Sequence, residues 1–400
     1  MNQDETSGQF FTRIQPGALI LGLVAGGISI AGAFLNLEHF FRAYLVAFLY
    51  WMGITLGCLA LLMLHQVVGG KWGFAVQRLL AAGARTLPLM IVLFLPLIFG
   101  MAYLYPWSSQ GAVEGEALLL RKSLYLNVPF FLIRALIYFG VWTGLAWAIT
   151  NWSYRNDVTG DEALLRRAQR FSAFGLVFFV LTASLAAMDW SMSLEPTWFS
   201  SVYGWLFIAG EVLGALALTI VILGFLWRRE PLSRIITPRL LNDLGNLLLT
   251  VLLTWAYLAF IQYLVIWYGN IPEEVIWYER RTAGGWEWVV ILLVVLHLAL
   301  PLVLLLFRQN KRRLATLSAI AAFVVIMRLV DIFWMVMPAF LAVFSFDWLD
   351  LALPVALGGL WIAMFLGQLK QHSLLPLNHP RLLEVLEQQR QEGYETKHAS

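Results

Sequence analysis

Ten apolar stretches, each about as long as a bilayer is thick, constrain this chain more than any other feature. A helix needs about twenty apolar residues to cross a hydrocarbon core of roughly 30 Å. The sequence supplies such runs at about 17–36, 44–67, 86–105, 126–150, 171–189, 199–227, 245–269, 286–307, 314–337 and 349–369. Charged residues make up 13% of the 400, against about 25% in soluble domains. The expected fold class is an all-α polytopic membrane protein with ten transmembrane helices. The first sixteen residues include Asp4 and Glu5 and lack the basic region of a signal peptide, so span one is expected to stay in the mature protein. The domains read as an N-terminal segment 1–16, a membrane domain 17–369 with halves at about 17–189 and 199–369, and a tail 370–400.

Lys and Arg set the expected orientation. The even-numbered loops hold fifteen of them, beginning with Lys71, Arg78 and Arg85, and the odd-numbered loops hold five, Arg42, Arg121, Lys122, Arg280 and Arg281. By the positive-inside rule both termini are cytoplasmic. Spans 2–5 and 6–9 can each form a four-helix bundle, with two flanking helices, spans one and ten. A repeat of that spacing would be parallel rather than inverted. Gly22, Gly26, Gly27 and Gly32 give span one a small-residue face suited to another subunit. In the tail, Arg381–Glu392 sets Leu382, Leu383, Val385 and Leu386 on a charged background. That pattern suits either a helix lying on the membrane or a docking strip.

Resident redox metals are not expected. Cys58 is the only cysteine, which excludes within this chain disulfides, a four-cysteine iron–sulfur cluster and C-x-x-C-H haem attachment. Of six histidines only His65 and His297 fall within spans, too few to ligate two haems. No phosphate loop, G-x-S-x-G or H-E-x-x-H is present.

Between the halves runs Met188–Gly204, M-D-W-S-M-S-L-E-P-T-W-F-S-S-V-Y-G. Asp189 and Glu195 sit there among Trp190, Trp198, Phe199 and Tyr203, aromatics that favour the headgroup level. Pro196 stops local helix. This stretch is expected to lie at the membrane surface as a lid.

Ionisable groups inside a span cost about 2.5–3.5 kcal/mol on insertion scales, so each needs a reason. Arg328 and Asp331 are i, i+3 on one helix and can pair with each other, either as a packing device or as part of a proton route. Glu211 has no partner on its own helix and must be neutral or face Arg328, His297 or water. His297 reads either as a core histidine donating to a carbonyl freed by Pro301 or as a relay group. Tyr257, Gln262 and Tyr263 could extend a hydrogen-bonded chain or simply join helices. Arg134 is expected to meet an acid or a carbonyl across helices, and His65 to snorkel at the interface. A proton route would then use Glu211, His297, Arg328, Asp331, Tyr257 and Gln262, and open near Asp189 and Glu195.

The stretch Asp189–Gly204 resembles the signature of the ActF subunit family of alternative complex III, NrfD-like membrane subunits of a bacterial quinol:electron acceptor oxidoreductase. Gly69–Gly73, G-G-K-W-G, and the ten-span layout are similar as well. Thr197 departs from the pattern, in which His follows the proline. The resemblance implies a cofactor-free subunit in the bacterial inner membrane, part of an electron transport chain. It implies a sister subunit, ActC, multihaem cytochrome and iron–sulfur partners carrying haem c and iron–sulfur clusters, and quinol as the substrate of the complex. Assembly and proton conduction are the expected roles, with no redox catalysis by this chain alone and no nucleic acid involved. Direct quinone binding, an independent secondary transporter and a purely structural anchor are the rival readings.

Overall fold

The structure, a computed structural model, describes residues 4–109, 117–376 and 382. Among these residues there is no strand, and ten helices are long and apolar enough to cross a membrane. The chain is a multi-pass membrane protein. Its helices are α1 (Asp4–Ala33), α2 (Leu37–Val68), α3 (Lys71–Ala84), α4 (Leu87–Phe99), α5 (Val128–Thr159) and α6 (Glu162–Trp190). After the lid follow α7 (Tyr203–Leu226), α8 (Pro238–Gly269), the short α9 (Pro272–Arg281), α10 (Trp286–Leu306), α11 (Leu314–Val336) and α12 (Leu349–Leu369).

Local chemistry sets the helix ends. Asn36, Asn127, Asp161 and Thr237 each accept a backbone N–H of the first turn of α2, α5, α6 and α8, the usual office of an N-cap. Gly160 and Asn270, both left-handed, close α5 and α8.

α2 and α7 are the central helices, packed along each other where Gly53 and Gly57 of α2 meet Glu211 and Ala215 of α7. A Cβ at Gly57 would lie 2.1 Å from the Glu211 carbonyl oxygen, so only glycine lets the backbones come this close. α6 and α12 pack on α2, α8 and α11 on α7, and α5 on α6. α1 lies against α12, where Gly22 and Gly359 meet backbone to backbone. Half of the glycine face expected to meet another subunit is therefore used internally. Gly22 and Gly32 pack on α12 and Trp348, while Gly26 and Gly27 face open space.

Two other expectations are corrected. Residues 71–85 were expected to be a loop, but they form buried α3. Its Arg78 pairs with Asp157, and Arg85 donates to Thr150 Oγ1 at 2.8 Å and Asn151 Oδ1 at 2.6 Å. His65 does not snorkel; it is buried against Trp72 and Phe74, over a Gly73 that leaves room for its ring. In the tail, Leu374 and Leu375 are buried in the core. The amphipathic stretch Arg381–Glu392 lies outside the described residues apart from Leu382.

Candidate functional site: a buried charge cluster beside a lateral cavity

The lid is a tie between the halves. Arg134 of α5 meets Asp189 with two hydrogen bonds, Nε to Oδ2 at 2.7 Å and Nη2 to Oδ1 at 2.9 Å. The Tyr138 hydroxyl donates to Oδ2 at 2.8 Å. Arg134 also donates to the Tyr125 carbonyl at 2.8 Å, so it finds both the acid and the carbonyl expected of it. Glu195 accepts from Arg281 Nη2 at 2.7 Å and Arg280 Nη1 at 3.1 Å. Burial pushes the Arg281 guanidinium below its ordinary value, and Glu195 holds it up. Trp198 stacks on Trp277 with ring centres 4.9 Å apart and donates to the Glu274 carbonyl.

Asp189 and Glu195 are therefore both held in ion pairs with arginines. The aromatic rim is corrected. Trp190, Trp198 and Tyr203 are buried and only Phe199 is exposed, because the indoles fill the joint between halves.

Deeper in the second half, Arg328 pairs with Asp331 one turn along α11, both buried. Arg328 Nε donates to the Gly210 carbonyl at 3.0 Å. Glu211 projects beside this pair from α7, and its Oε2 has no hydrogen-bond partner. A void of about 10 Å³ lies between Glu211, Arg328, Tyr50 and the glycines Gly53, Gly210 and Gly214, room for about one water molecule.

Asp331 also lines a cavity of about 390 Å³ between α8, α9, α10 and α11. Trp255 and Gln262 stand on its α8 wall, with Trp277, Tyr278 and Thr282 of the α9 segment above and Trp334 and Met335 of α11 behind. Gln262 is 2% exposed; its Oε1 accepts from Ser200 Oγ at 3.3 Å, and its side chain also engages Tyr278. The Trp255 indole N–H stands beside the Asp331 carboxyl. Tyr278, outside the spans, is pushed up to about 12 by burial, with Gln262 opposing, so it remains a phenol donor at physiological pH.

The α10 wall is a π-helix, Leu293–Ala299, which supplies Leu293, Val294 and Leu298 to the cavity. Pro301 has no N–H to offer the His297 carbonyl, and the ladder widens just before it, Leu300 N–H reaching the Val295 oxygen. Single-turn π-bulges are often found at functional sites.

His297 does not make the expected bond to a carbonyl. Its ring is fully buried edge-on to Trp255 at 4.4 Å, and neither nitrogen has a partner. Tyr257 is no part of the site. It is 62% exposed, because two residues along a helix from Trp255 is about 200° round the axis. Tyr263 lies at the cavity mouth. The structure thus brings Glu211, Arg328, Asp331 and Gln262 into adjoining spaces. It leaves His297 one indole away, and Asp189, Glu195 and Tyr257 elsewhere.

Sequence reasoning missed Trp255, Trp334 and the glycines that admit the cluster. The spacings G-I-T-L-G and G-E-V-L-G could have pointed to the glycines as close helix contacts; nothing local marks the indoles. Among the described residues no three His, Cys, Asp or Glu side chains gather as a metal site. No protein-family model matches the chain, and the search of curated proteins finds no relative.

Proposed function

We propose that the chain is an ActF-like, cofactor-free subunit of a quinol:electron acceptor oxidoreductase of the alternative complex III type, and that its second half holds and passes a proton. The observation that carries this is the cluster of two carboxyls around one guanidinium, Glu211, Asp331 and Arg328. Such a cluster is neutral only when it holds one proton. In a medium that penalises net charge, gain or loss of that proton is coupled to what stands beside it. The void between Glu211 and Arg328 and the cavity against Asp331 put a space on either side for a proton donor or acceptor. Electrons travel in partner subunits with haem c and iron–sulfur clusters. The ActC-like sister subunit and membrane lipid complete the surroundings, and the basic end of the bundle faces the cytoplasm of a bacterial inner membrane.

Gentle purification through a tag on this chain, with identification of what accompanies it, tests the assembly. Multihaem and iron–sulfur partners with a second polytopic subunit support the reading; a stable chain that purifies alone overturns it in favour of a transporter. In the assembled complex, Asp331→Asn is expected to slow quinol oxidation and outward proton release together.

A further inference from the structure

We infer that the basic end of the bundle binds the phosphate of an anionic lipid, at a site centred on Lys311. This lysine belongs to the turn Arg308–Arg312 between α10 and α11, and that turn packs on the start of α8. Lys311 is 7% exposed. Its aliphatic stem lies across Gly245, where a Cβ would come within 2.6 Å of the lysine Cγ, so this glycine lets the side chain turn inward. The ammonium donates to Asn246 Oδ1 at 2.6 Å.

That bond answers one of the three hydrogens of an ammonium and none of its charge. Among the described residues each buried arginine has a carboxylate: Arg78 has Asp157, Arg134 has Asp189, Arg281 has Glu195 and Arg328 has Asp331. Lys311, equally buried, is in none of the ion pairs. A buried charge without a counter-charge is costly, and what surrounds this one is more positive charge. Arg308 lies three positions before it on the same short helix, Arg312 and Arg313 follow, and all three are exposed. On α8, exposed Arg239 is seven positions before Asn246 and so on the same face. The one acid of residues 238–246, Asp243, is exposed and unpaired, and residues 307–316 hold none. The missing counter-ion is therefore an anion from outside the chain.

Depth points to a lipid as its source. Asn246 is exposed and lies eight residues past Pro238, about 12 Å of helix rise inside the start of α8, where the apolar run of that span begins. Leu306 and Phe307, 63% and 59% exposed, immediately precede Arg308. The apolar surface that acyl chains cover thus begins where the cations end, which is the level of a lipid phosphate. Anionic headgroups are drawn to such juxtamembrane cations, whereas a choline headgroup would bring a further positive charge among them. The inference goes beyond the role proposed above and depends on neither the proton nor the partner subunits.

The test is native mass spectrometry of the full chain in detergent, titrated with dioleoyl phosphatidylglycerol or dioleoyl phosphatidylcholine. Preferential retention of phosphatidylglycerol is expected. Lys311→Met, which keeps the stem over Gly245 and removes the charge, is expected to weaken that retention at least tenfold. Arg312→Gln, on the exposed turn, is expected to weaken it severalfold and keeps the test open if Lys311→Met does not fold. Arg166→Gln, exposed at the same end on α6 and paired with Glu162, is expected to leave it unchanged. Phosphatidylglycerol should also raise the unfolding temperature of the parent and not that of Lys311→Met. Equal retention of the two lipids, or retention untouched in both Lys311→Met and Arg312→Gln, would overturn the site. So would an equal loss in Arg166→Gln, which would mean a general attraction to a basic surface. Displacement of the lipid by excess inorganic phosphate would overturn the lipid assignment in favour of a soluble anion.

Discussion

Arg328 and Gly210 occupy one another's space. The guanidinium of α11 donates to the Gly210 carbonyl of α7 at 3.0 Å, and a Cβ at Gly210 would lie 2.2 Å from its central carbon. The absent side chain of one helix is thus the socket for the charge of another, and Glu211, next in the chain, is held beside that charge.

Gly210→Ala is therefore expected to push the guanidinium out of its socket. Overpacking of a filled core costs about 1–3 kcal/mol, read as a lowered unfolding temperature in detergent. Turnover should fall with it, because Arg328 can no longer face both Glu211 and Asp331. A variant as stable and active as the parent would contradict the socket.

Arg134 and Asp189 form a buried pair, so removing one partner strands the other. Arg134→Met is expected to destabilise by about 3–5 kcal/mol, and Arg134→Met with Asp189→Leu by much less. Equilibrium unfolding of the two variants against the parent checks this. If the double variant is no more stable than the single, Asp189 does more than pair.

Glu195→Gln leaves the buried, 1%-exposed Arg281 without a counter-charge. Because Arg281 also holds the Met335 and Trp277 carbonyls at 2.8 and 3.0 Å, α9 should loosen as a unit. Faster hydrogen exchange across residues 272–281, with α5 unchanged, is the expected readout.

His372, beyond α12, stacks on Tyr154 at 3.4 Å, and burial and then Arg78 and Arg85 depress its pKa from 6.5. The docked tail thus binds the proton less readily than the released tail. Docking should be fully favoured above about pH 6.5 and weaken as pH falls below it, down to the depressed value. Limited proteolysis of 370–376 across pH checks the sign, and His372→Phe should keep the stack while removing this dependence.

Much of the architecture could be read from the sequence because each span is an apolar run of bilayer length, and neither packing nor partners are needed to see that. What could not be read was which side of each helix faces inward. Trp255 and Tyr257 are equally plausible in an apolar run, yet one lines the cavity and the other faces outward. The same limit hid α3. Its Arg78 and Arg85 look like loop charges until Asp157, Thr150 and Asn151, some seventy residues on, come back to meet them. The Arg328–Asp331 pair was legible from its i, i+3 spacing. Its link to Glu211 depends on a helix crossing that only tertiary structure fixes, and the arginines that pair with Asp189 and Glu195 are likewise brought to them only by the fold.

The most direct test is proton release during quinol oxidation by the assembled complex carrying Glu211→Gln, with Glu211→Asp as the conservative control. The proposed role predicts normal assembly, turnover and proton release reduced at least tenfold with glutamine, and partial recovery with aspartate. Full turnover and proton release in Glu211→Gln would contradict it.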